Sequence, residues 1–370
     1  MALELQIAHS VEEIEHTAWD HLGKRYPLAG YRWYRFGEAV LRNDPPVYIL
    51  ISHRGEPAGR ATFWVNRREP LPIPLPAVRR PLEALLRHRP LFVCRSPLTS
   101  LSGLILPPPP LRDEALKLIT RAALQEAQRC QASFVLFDYL EEEEARLPAW
   151  SGSFTATSIA DPGTCLHITW SNFEDYLAHL PKSVRKDYRR HRNRAADQAI
   201  QIKCQQLTAP LEPHVVEQAM ALIHNVDKHH KSPPHPWGRE MLEKAYLVDA
   251  TWITASIEDR MVGCGLLLGD GDARFLALLG LDYEVKYVYF QLFYAAIQHA
   301  IESGVRILRG GSGAYEMKRR LGFQLEKNCY AVFAGRGTLL HGVGKWVARY
   351  GAMPQSTLYK DAEPADGSSG

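Results

Sequence analysis

TWITASI (251–257), MVGCGLLL (261–268) and ARFLALLG (273–280) are three apolar, β-branched runs in succession, separated by Glu258–Asp259–Arg260 and by the GDGD turn at 269–272. Short runs of this kind joined by polar turns predict consecutive antiparallel strands. Immediately downstream, Val285, Val288, Tyr289, Leu292, Phe293, Ala296, Ile297, Ala300 and Ile301 step by three and four, one apolar face of a long helix. Ser303–Gly304 closes that helix as a C-terminal cap would, and VRIL (305–308) reads as a short buried strand. The order is strand, strand, strand, long helix, strand.

The first half of the chain repeats this order. VYILISH (47–53) and AGRATFWV (58–65) flank a turn at Arg54–Gly55–Glu56–Pro57, a helix is expected over roughly 112–130, and SFVLFDY (133–139) follows as a strand. The repeat predicts an α/β (α+β) protein of two tandem domains, each a mixed central sheet flanked by helices. The expected partition is 1–160 and 161–352, with a polar tail over 353–370 that carries no fold. Residues 69–110 hold eleven of the 25 prolines and read as an insert in the first domain. The readings open for the insert are an irregular packed loop, a flap over substrate, or a patch against lipid.

Composition narrows the function classes. The 370 residues are 46% hydrophobic and 23% charged, with a net charge of only +3, so nucleic-acid binding cannot rest on global basicity. None of the six cysteines lies in a C-x-x-C spacing, and reduced, buried thiols are expected. MALELQIAHSVEEIEH carries acids and no apolar core, so it does not read as a signal peptide. No run reaches the roughly 18 apolar residues of a membrane span, and no stable membrane insertion is expected. The expected location is the cytoplasm.

Local clusters carry more. LPKSVRKDYRRHRNRA (180–195) holds seven Lys or Arg and one Asp between 182 and 194. On a helix, Lys182, Arg185, Lys186, Arg189 and Arg190 share a face, where like charges repel at i,i+4. The face is either a solvated helix surface or a seat for phosphates of tRNA, a nucleotide or coenzyme A. In RGGSGAYEMKRRLGF (309–323), a strand ends in Gly310–Gly311–Ser312–Gly313 and runs into a short helix. Free backbone N–H groups there suit an anion or a developing oxyanion, though the glycines match neither the Walker A nor the dinucleotide spacing. HNVDKHHKSPPHPWG (224–238) leaves three readings: a metal site on His224, Asp227 and His230, a loop that binds acceptor or handles protons, or a plain polar loop. No G-x-S-x-G elbow and no cysteine in a nucleophile context is present.

The order of strands and helix, the short helix and the L-G-F that follows resemble GNAT acyltransferases. Lys318 stands in K-R-R-L-G-F, where many coenzyme-A-dependent members carry a Tyr, and a Lys there is similar to the FemABX-like group. The basic helix after F-x-x-Y-L resembles that group and its BioF2-like acetyltransferase relatives. Tyr31–Arg32–Trp33 is similar to the aromatic segment that opens the FemABX fold, and SPLTSLSGLIL (96–106) to a small-residue stretch before the first helix. The resemblance implies amide formation by an N-acyltransferase moving an aminoacyl group from aminoacyl-tRNA to an amine of a peptide or peptidoglycan-precursor-like acceptor. It implies no metal and no cofactor beyond that co-substrate.

The alternatives are an acyl-CoA-dependent N-acyltransferase and a non-catalytic RNA- or lipid-binding module. The pyrophosphate loop of many coenzyme-A enzymes is missing from LDYEVKYVYFQLFYAAI, which favours the aminoacyl-tRNA donor or a degenerate site. Lys318 and the N–H groups around Gly311 and Gly313 are expected to stabilise the oxyanion. Lys182, Arg185, Lys186, Arg189 and Arg190 are expected to hold donor phosphates. Tyr31, Arg32 and Trp33, with His230 and Tyr315, are expected to contact the acceptor.

Overall fold

The structure is a computed structural model that describes residues 3–352, apart from 70, 72–75, 151, 160–161 and 231–233; the expected tail over 353–370 lies outside the described residues. Two mixed sheets form. The first runs Leu3–Ala8, Pro46–His53, Glu56–Asn66, Leu91–Cys94, Phe134–Leu140, Tyr330–Gly335, Thr155–Ser158, with Leu104–Ile105 paired to Glu56–Asn66. The second runs Gln324–Leu325, Thr164–His167, Ile307–Arg309, Ala273–Leu281, Arg260–Asp270, Asp249–Ile257, Gln201–Gln206.

The repeat seen in the sequence is real. Each sheet has an antiparallel hairpin, a crossover helix and a parallel partner strand. The crossover helices are Arg112–Arg129 and Val288–Glu302, and the parallel pairs are Leu91–Cys94 with Phe134–Leu140 and Ala273–Leu281 with Ile307–Arg309. Along each strand, side chains alternate between faces. Tyr48 and Trp64 point into one core, and Ile49, Phe63 and Val65 into another. In the second sheet Trp252, Leu266 and Leu268 face the shared core while Ile253 and Leu267 face the outer helices.

The shared core lies between the sheets and joins Trp19, Trp33 and Phe36 to Met241, Trp252 and Phe275. The helices Arg112–Arg129 and Val288–Glu302 close the two outer cores. The two halves are therefore locked by apolar burial on both sides of one interface, and a hinge between them would expose that core.

Two expectations are corrected. Tyr330–Gly335 crosses back to the first sheet, between Phe134–Leu140 and Thr155–Ser158, and Gly337–Ala352 packs against it. The partition at 160/161 therefore does not hold at the C-terminus. A continuous second domain would have left Phe134–Leu140 as an unpaired edge, which the returning strand covers. The region 69–110 is also not one insert. LFVC within it is a strand with all four residues buried at the centre of the first sheet, preceded by the helix Pro76–His88. A run buried on both faces shows no alternation, which is why it reads as part of a Pro-rich loop.

A polar clasp crosses the same interface. Arg309, 1% exposed, donates to Glu326 through Nε and Nη2 at 2.5 Å each. Its Nη2 also reaches the Ser100 carbonyl at 3.1 Å, which Asn328 Nδ2 meets at 2.6 Å. Removing one partner of a buried ion pair leaves the other charge uncompensated. Arg309→Met is expected to lower unfolding stability by about 3–5 kcal/mol in urea titration, whereas a loss below about 1 kcal/mol would mean the pair is effectively solvated.

Candidate active site

In each sheet the parallel pair parts at its C-terminal end. Pairing in the first stops at Cys94 opposite Phe137, and in the second at Phe275 opposite Arg309. Crevices of this kind, beyond the carboxyl ends of parallel strands, are where α/β sheets bind ligands. Here the two openings face one another. Arg95 and Tyr139 from the first, and Leu276, Ala277 and Gly310–Ser312 from the second, line a single cleft of about 430 Å³. The register between Arg260–Asp270 and Ala273–Leu281 jumps from Leu278 to Leu276, so Ala277 is a bulge that turns the strand at the cleft wall.

The Gly-rich loop owes its shape to Lys318. This side chain is 3% exposed, and its ammonium donates to the carbonyls of Gly310 at 2.7 Å, Gly311 at 3.2 Å and Ser312 at 3.0 Å. Thr164 adds its N–H at 3.0 Å and its hydroxyl at 2.7 Å, both to the Gly311 carbonyl. In a trans peptide the C=O and the following N–H point in opposite directions. Drawing three consecutive carbonyls to Lys318 therefore turns the N–H groups of Gly311, Ser312 and Gly313 the other way, and among the described residues none of the three has an acceptor. Gly311 and Gly313 sit at φ +67° and +79°, the left-handed region that suits glycine and that recurs in anion-binding nests of backbone N–H groups.

This corrects the expected role of Lys318. Its three protons are committed to the loop and it does not line the cleft. It shapes the donors and is not itself one. Burial lowers its pKa from 10.5 to about 8, against the opposing pull of Glu326.

Opposite the loop sits a polar cluster that the sequence reading missed. Arg95 Nε and Nη2 reach Asp138 at 3.1 and 2.5 Å, and Nη2 reaches Glu69 at 2.9 Å. Two carboxylates share one guanidinium, leaving a net negative charge. Burial raises the Asp138 pKa above its ordinary 3.8, with Arg95 pulling the other way. The legible signal was an acid inside the apolar run SFVLFDY, since buried carboxylates are rare unless paired.

The other expected residues fall in several places. Trp33 is fully buried, with Nε1 donating to the Pro97 carbonyl at 3.2 Å, so it belongs to the shared core and contacts no acceptor. Arg32 is exposed and donates to the Leu247 carbonyl at 2.7 Å, tying the helix Tyr31–Val40 to the second half. Tyr31 packs on His16 at 4.6 Å between ring centres. None of the three lines the cleft. Tyr315 donates to the Pro162 carbonyl at 2.9 Å, and His230 meets Tyr283 at 3.3 Å; both stand outside the cleft wall. From the histidine-bearing segment, His235 and Trp237 line the cleft instead. Burial lowers the His235 pKa, which keeps the imidazole neutral at pH 7. Among the described residues no group of three His, Cys, Asp or Glu could hold a metal ion.

The basic stripe forms the helix Lys182–Asp197. Arg185 donates to the Ala178 and Leu180 carbonyls at 2.9 and 2.7 Å, capping the preceding helix, and Arg190 pairs with Asp187 at 2.9 Å. Lys182, Lys186 and Arg189 are exposed and, among the described residues, make no ion pair. The start of this helix borders a cavity of about 570 Å³ lined by His167, Trp170, His179, Ser183, Arg319 and Arg320. Arg319 widens the cationic surface beyond the helix that suggested it, and Arg320 pairs with Asp187 of that helix.

Comparison with known proteins agrees with this architecture. The FemAB-like family model, described as peptidoglycan biosynthesis/recognition, matches residues 82–363. The chain therefore belongs to the FemAB-like family, and its fold is that of tandem GNAT proteins. It is similar in fold to a crystal structure of FemX, at 11% identity and a TM-score of 0.62, over 93% of this chain and 100% of that one. A tandem GNAT protein from the clavulanic acid biosynthesis pathway matches at 10% identity and TM-score 0.53, over 91% of this chain and 99% of that one. So does the C-terminal domain of a putative lysylphosphatidylglycerol synthetase from Agrobacterium fabrum, at 9% identity and TM-score 0.53, over 92% and 97%. A search of curated proteins returns no match. Among the described residues, no helix is long and apolar enough to cross a membrane.

The ammonium form of Lys318 supplies three protons to three carbonyls, and the neutral amine supplies two. Turnover is therefore expected to fall as pH rises through about 8. Stability should not fall with it. The folded state binds fewer protons than the unfolded state between the lowered pKa and 10.5, so this group makes stability rise with pH there. Lys318→Met is expected to reduce turnover by about 10²-fold, the scale of losing an oxyanion donor. Unchanged turnover in the purified, folded variant would remove the loop from the chemistry.

Proposed function

We propose that the protein forms an amide bond by direct transfer of an aminoacyl group from aminoacyl-tRNA to an amine held in the cleft between the two sheets. The observation that carries this reading is a loop whose N–H groups at Gly311, Ser312 and Gly313 have no acceptor among the described residues, with Gly311 and Ser312 lining the cleft together with Arg95, the guanidinium that holds Glu69 and Asp138. The N–H groups suit the oxyanion of a tetrahedral intermediate. The carboxylates suit an ammonium on its way to becoming a nucleophile. The family description supports an acceptor of peptide or peptidoglycan-precursor type, and the expected setting is the cytoplasm.

Asp138, whose pKa is raised by burial, takes the ammonium proton, which converts the acceptor to a free amine. The nitrogen attacks the ester carbonyl carbon, a C–N bond forms, and the carbonyl oxygen gathers charge against the loop N–H groups. Collapse breaks the C–O bond to the tRNA ribose, and the proton shed by nitrogen leaves with that oxygen. Holding both substrates between rigid walls supplies much of the acceleration, since two-substrate transfers gain most from orientation. Donor phosphates rest on Lys182, Lys186 and Arg189, with Arg319 alongside and Arg320 held by Asp187. Arg185 and Arg190 shape that surface through their own contacts.

Two measurements test this. Binding of aminoacyl-tRNA between about 50 and about 200 mM salt should weaken with a slope of about 0.7–0.9 per phosphate neutralised, and the slope should shrink in the Lys182→Ala, Lys186→Ala, Arg189→Ala triple variant. Salt-insensitive binding of acetyl-CoA alone would move the donor to a thioester. In the second, the acid limb of the pH–rate profile should lie above the ordinary carboxylate value of 3.8 and disappear in Asp138→Asn; an unchanged limb in that variant would acquit Asp138 as the base.

A further inference from the structure

A second cavity of about 450 Å³ opens off the cleft along the first sheet. Its floor is the apolar face carrying Leu91 and Leu136. One wall is the helix Pro76–His88, through Leu82 and Leu86, and the other is Gly337–Ala352, through Val343 and Val347. The two walls come from distant parts of the chain and meet over the strand that returns to the first sheet. Gly344 lets the second helix settle close to that sheet, since a Cβ there would stand 2.6 Å from Phe333 and 2.7 Å from Phe134. The outcome is a groove between two helices with a mainly hydrocarbon lining, broken by Ser133, Thr157 and Ser158 and by the charged cluster at one end.

The groove does not end blindly in the first domain. Arg95, Tyr139 and Ser312 line both it and the cleft, and Glu69 and Asp138 line the groove where they hold the shared Arg95. An occupant of the groove would thus have one end beside the loop N–H groups, with the remainder in hydrocarbon. At that end two carboxylates outnumber one guanidinium, so the complementary head group is cationic.

We infer that the acceptor is an amphiphilic amine, with an unbranched hydrocarbon chain attached close to its nitrogen, and that this chain lies in the groove between the helices Pro76–His88 and Gly337–Ala352. The inference rests on the amide-forming reading above and sets an alkyl amine in place of its peptide-type acceptor. The ammonium sits at Glu69 and Asp138, in reach of the acyl carbon over the Gly-rich loop. Methylenes displace water from Leu82, Leu86, Val343 and Val347, and chain length becomes the specificity determinant.

The test uses the full chain and the n-alkylamines from butylamine to decylamine, below the concentrations at which they self-assemble, with affinity measured by calorimetry. Affinity should rise about four-fold per added methylene, the increment for burying one CH₂. Val343→Trp fills the groove and should flatten that series while leaving butylamine affinity unchanged; Leu82→Trp on the opposite wall repeats the test if the first variant fails to fold. Chain-length dependence that persists in both folded variants overturns the site. A matched n-alkyl carboxylate series that binds as tightly as the amines overturns the assignment of the chain to the acceptor. Amide formation assayed with the same amines separates the two claims. Turnover without chain-length dependence sinks the groove and leaves the transfer reaction standing, whereas chain-dependent binding with no amide product keeps the groove and sinks the reaction.

Discussion

One buried ammonium organises the Gly-rich loop at the cleft. Lys318 comes up from the short helix beneath the Gly-rich loop and draws three consecutive carbonyls toward itself. Burying that charge is unfavourable, which is why its pKa falls, and the three carbonyl dipoles offset the cost. Peptide planarity does the rest, turning three N–H groups to the far side. A methionine of similar length would fill the same space and lose the instruction. A Lys in the stretch before L-G-F is thus explained without contact between its nitrogen and any substrate.

That loop has a partner only because the fold places two equivalent openings face to face. Each half contributes a parallel pair that separates after its last shared register, and the shared core of Trp19, Trp33, Trp252 and Phe275 sets how far apart the openings stand. The Arg309–Glu326 pair, reaching across to the Ser100 carbonyl, adds a polar constraint at the edge of the same interface. The strand Tyr330–Gly335 binds the C-terminus into the first half, so the two units cannot be separated by cutting between them. It also delivers the helix Gly337–Ala352 to the wall of the apolar groove. Rigidity here fixes the spacing of the Gly-rich loop and the Arg95 cluster, which are carried by different halves.

Much of this was legible in the residues, for physical reasons. The hairpins at 46–66 and 249–270 follow from apolar runs broken by polar turns, and the helix Val288–Glu302 from a stripe whose members are buried as the period demands. What escaped is non-local. LFVC is buried on both faces and lies among prolines, so no period marks it. The return of Tyr330–Gly335 depends on which edge is vacant, a property of the assembled sheet. Trp33 carries the same aromatic character whether it meets a ligand or fills a core, and packing alone chose the core. Lys318 could be picked out by position, but the direction of its protons could not. Arg95 and Asp138 are far apart in sequence and come together only where their strands part.

The central claim is that the three N–H groups set by Lys318 receive the oxyanion. The most direct measurement is the amide resonances of Gly311 and Gly313 in glycine-labelled protein, with and without a phosphonate analogue of the acyl ester that carries the tetrahedral charge. Large downfield proton shifts are expected at both amides in the wild type, with their loss in Lys318→Met while the remaining glycine resonances stay in place. Saturable binding of the phosphonate with neither amide shifted would contradict that claim, and would place the developing charge elsewhere in the cleft.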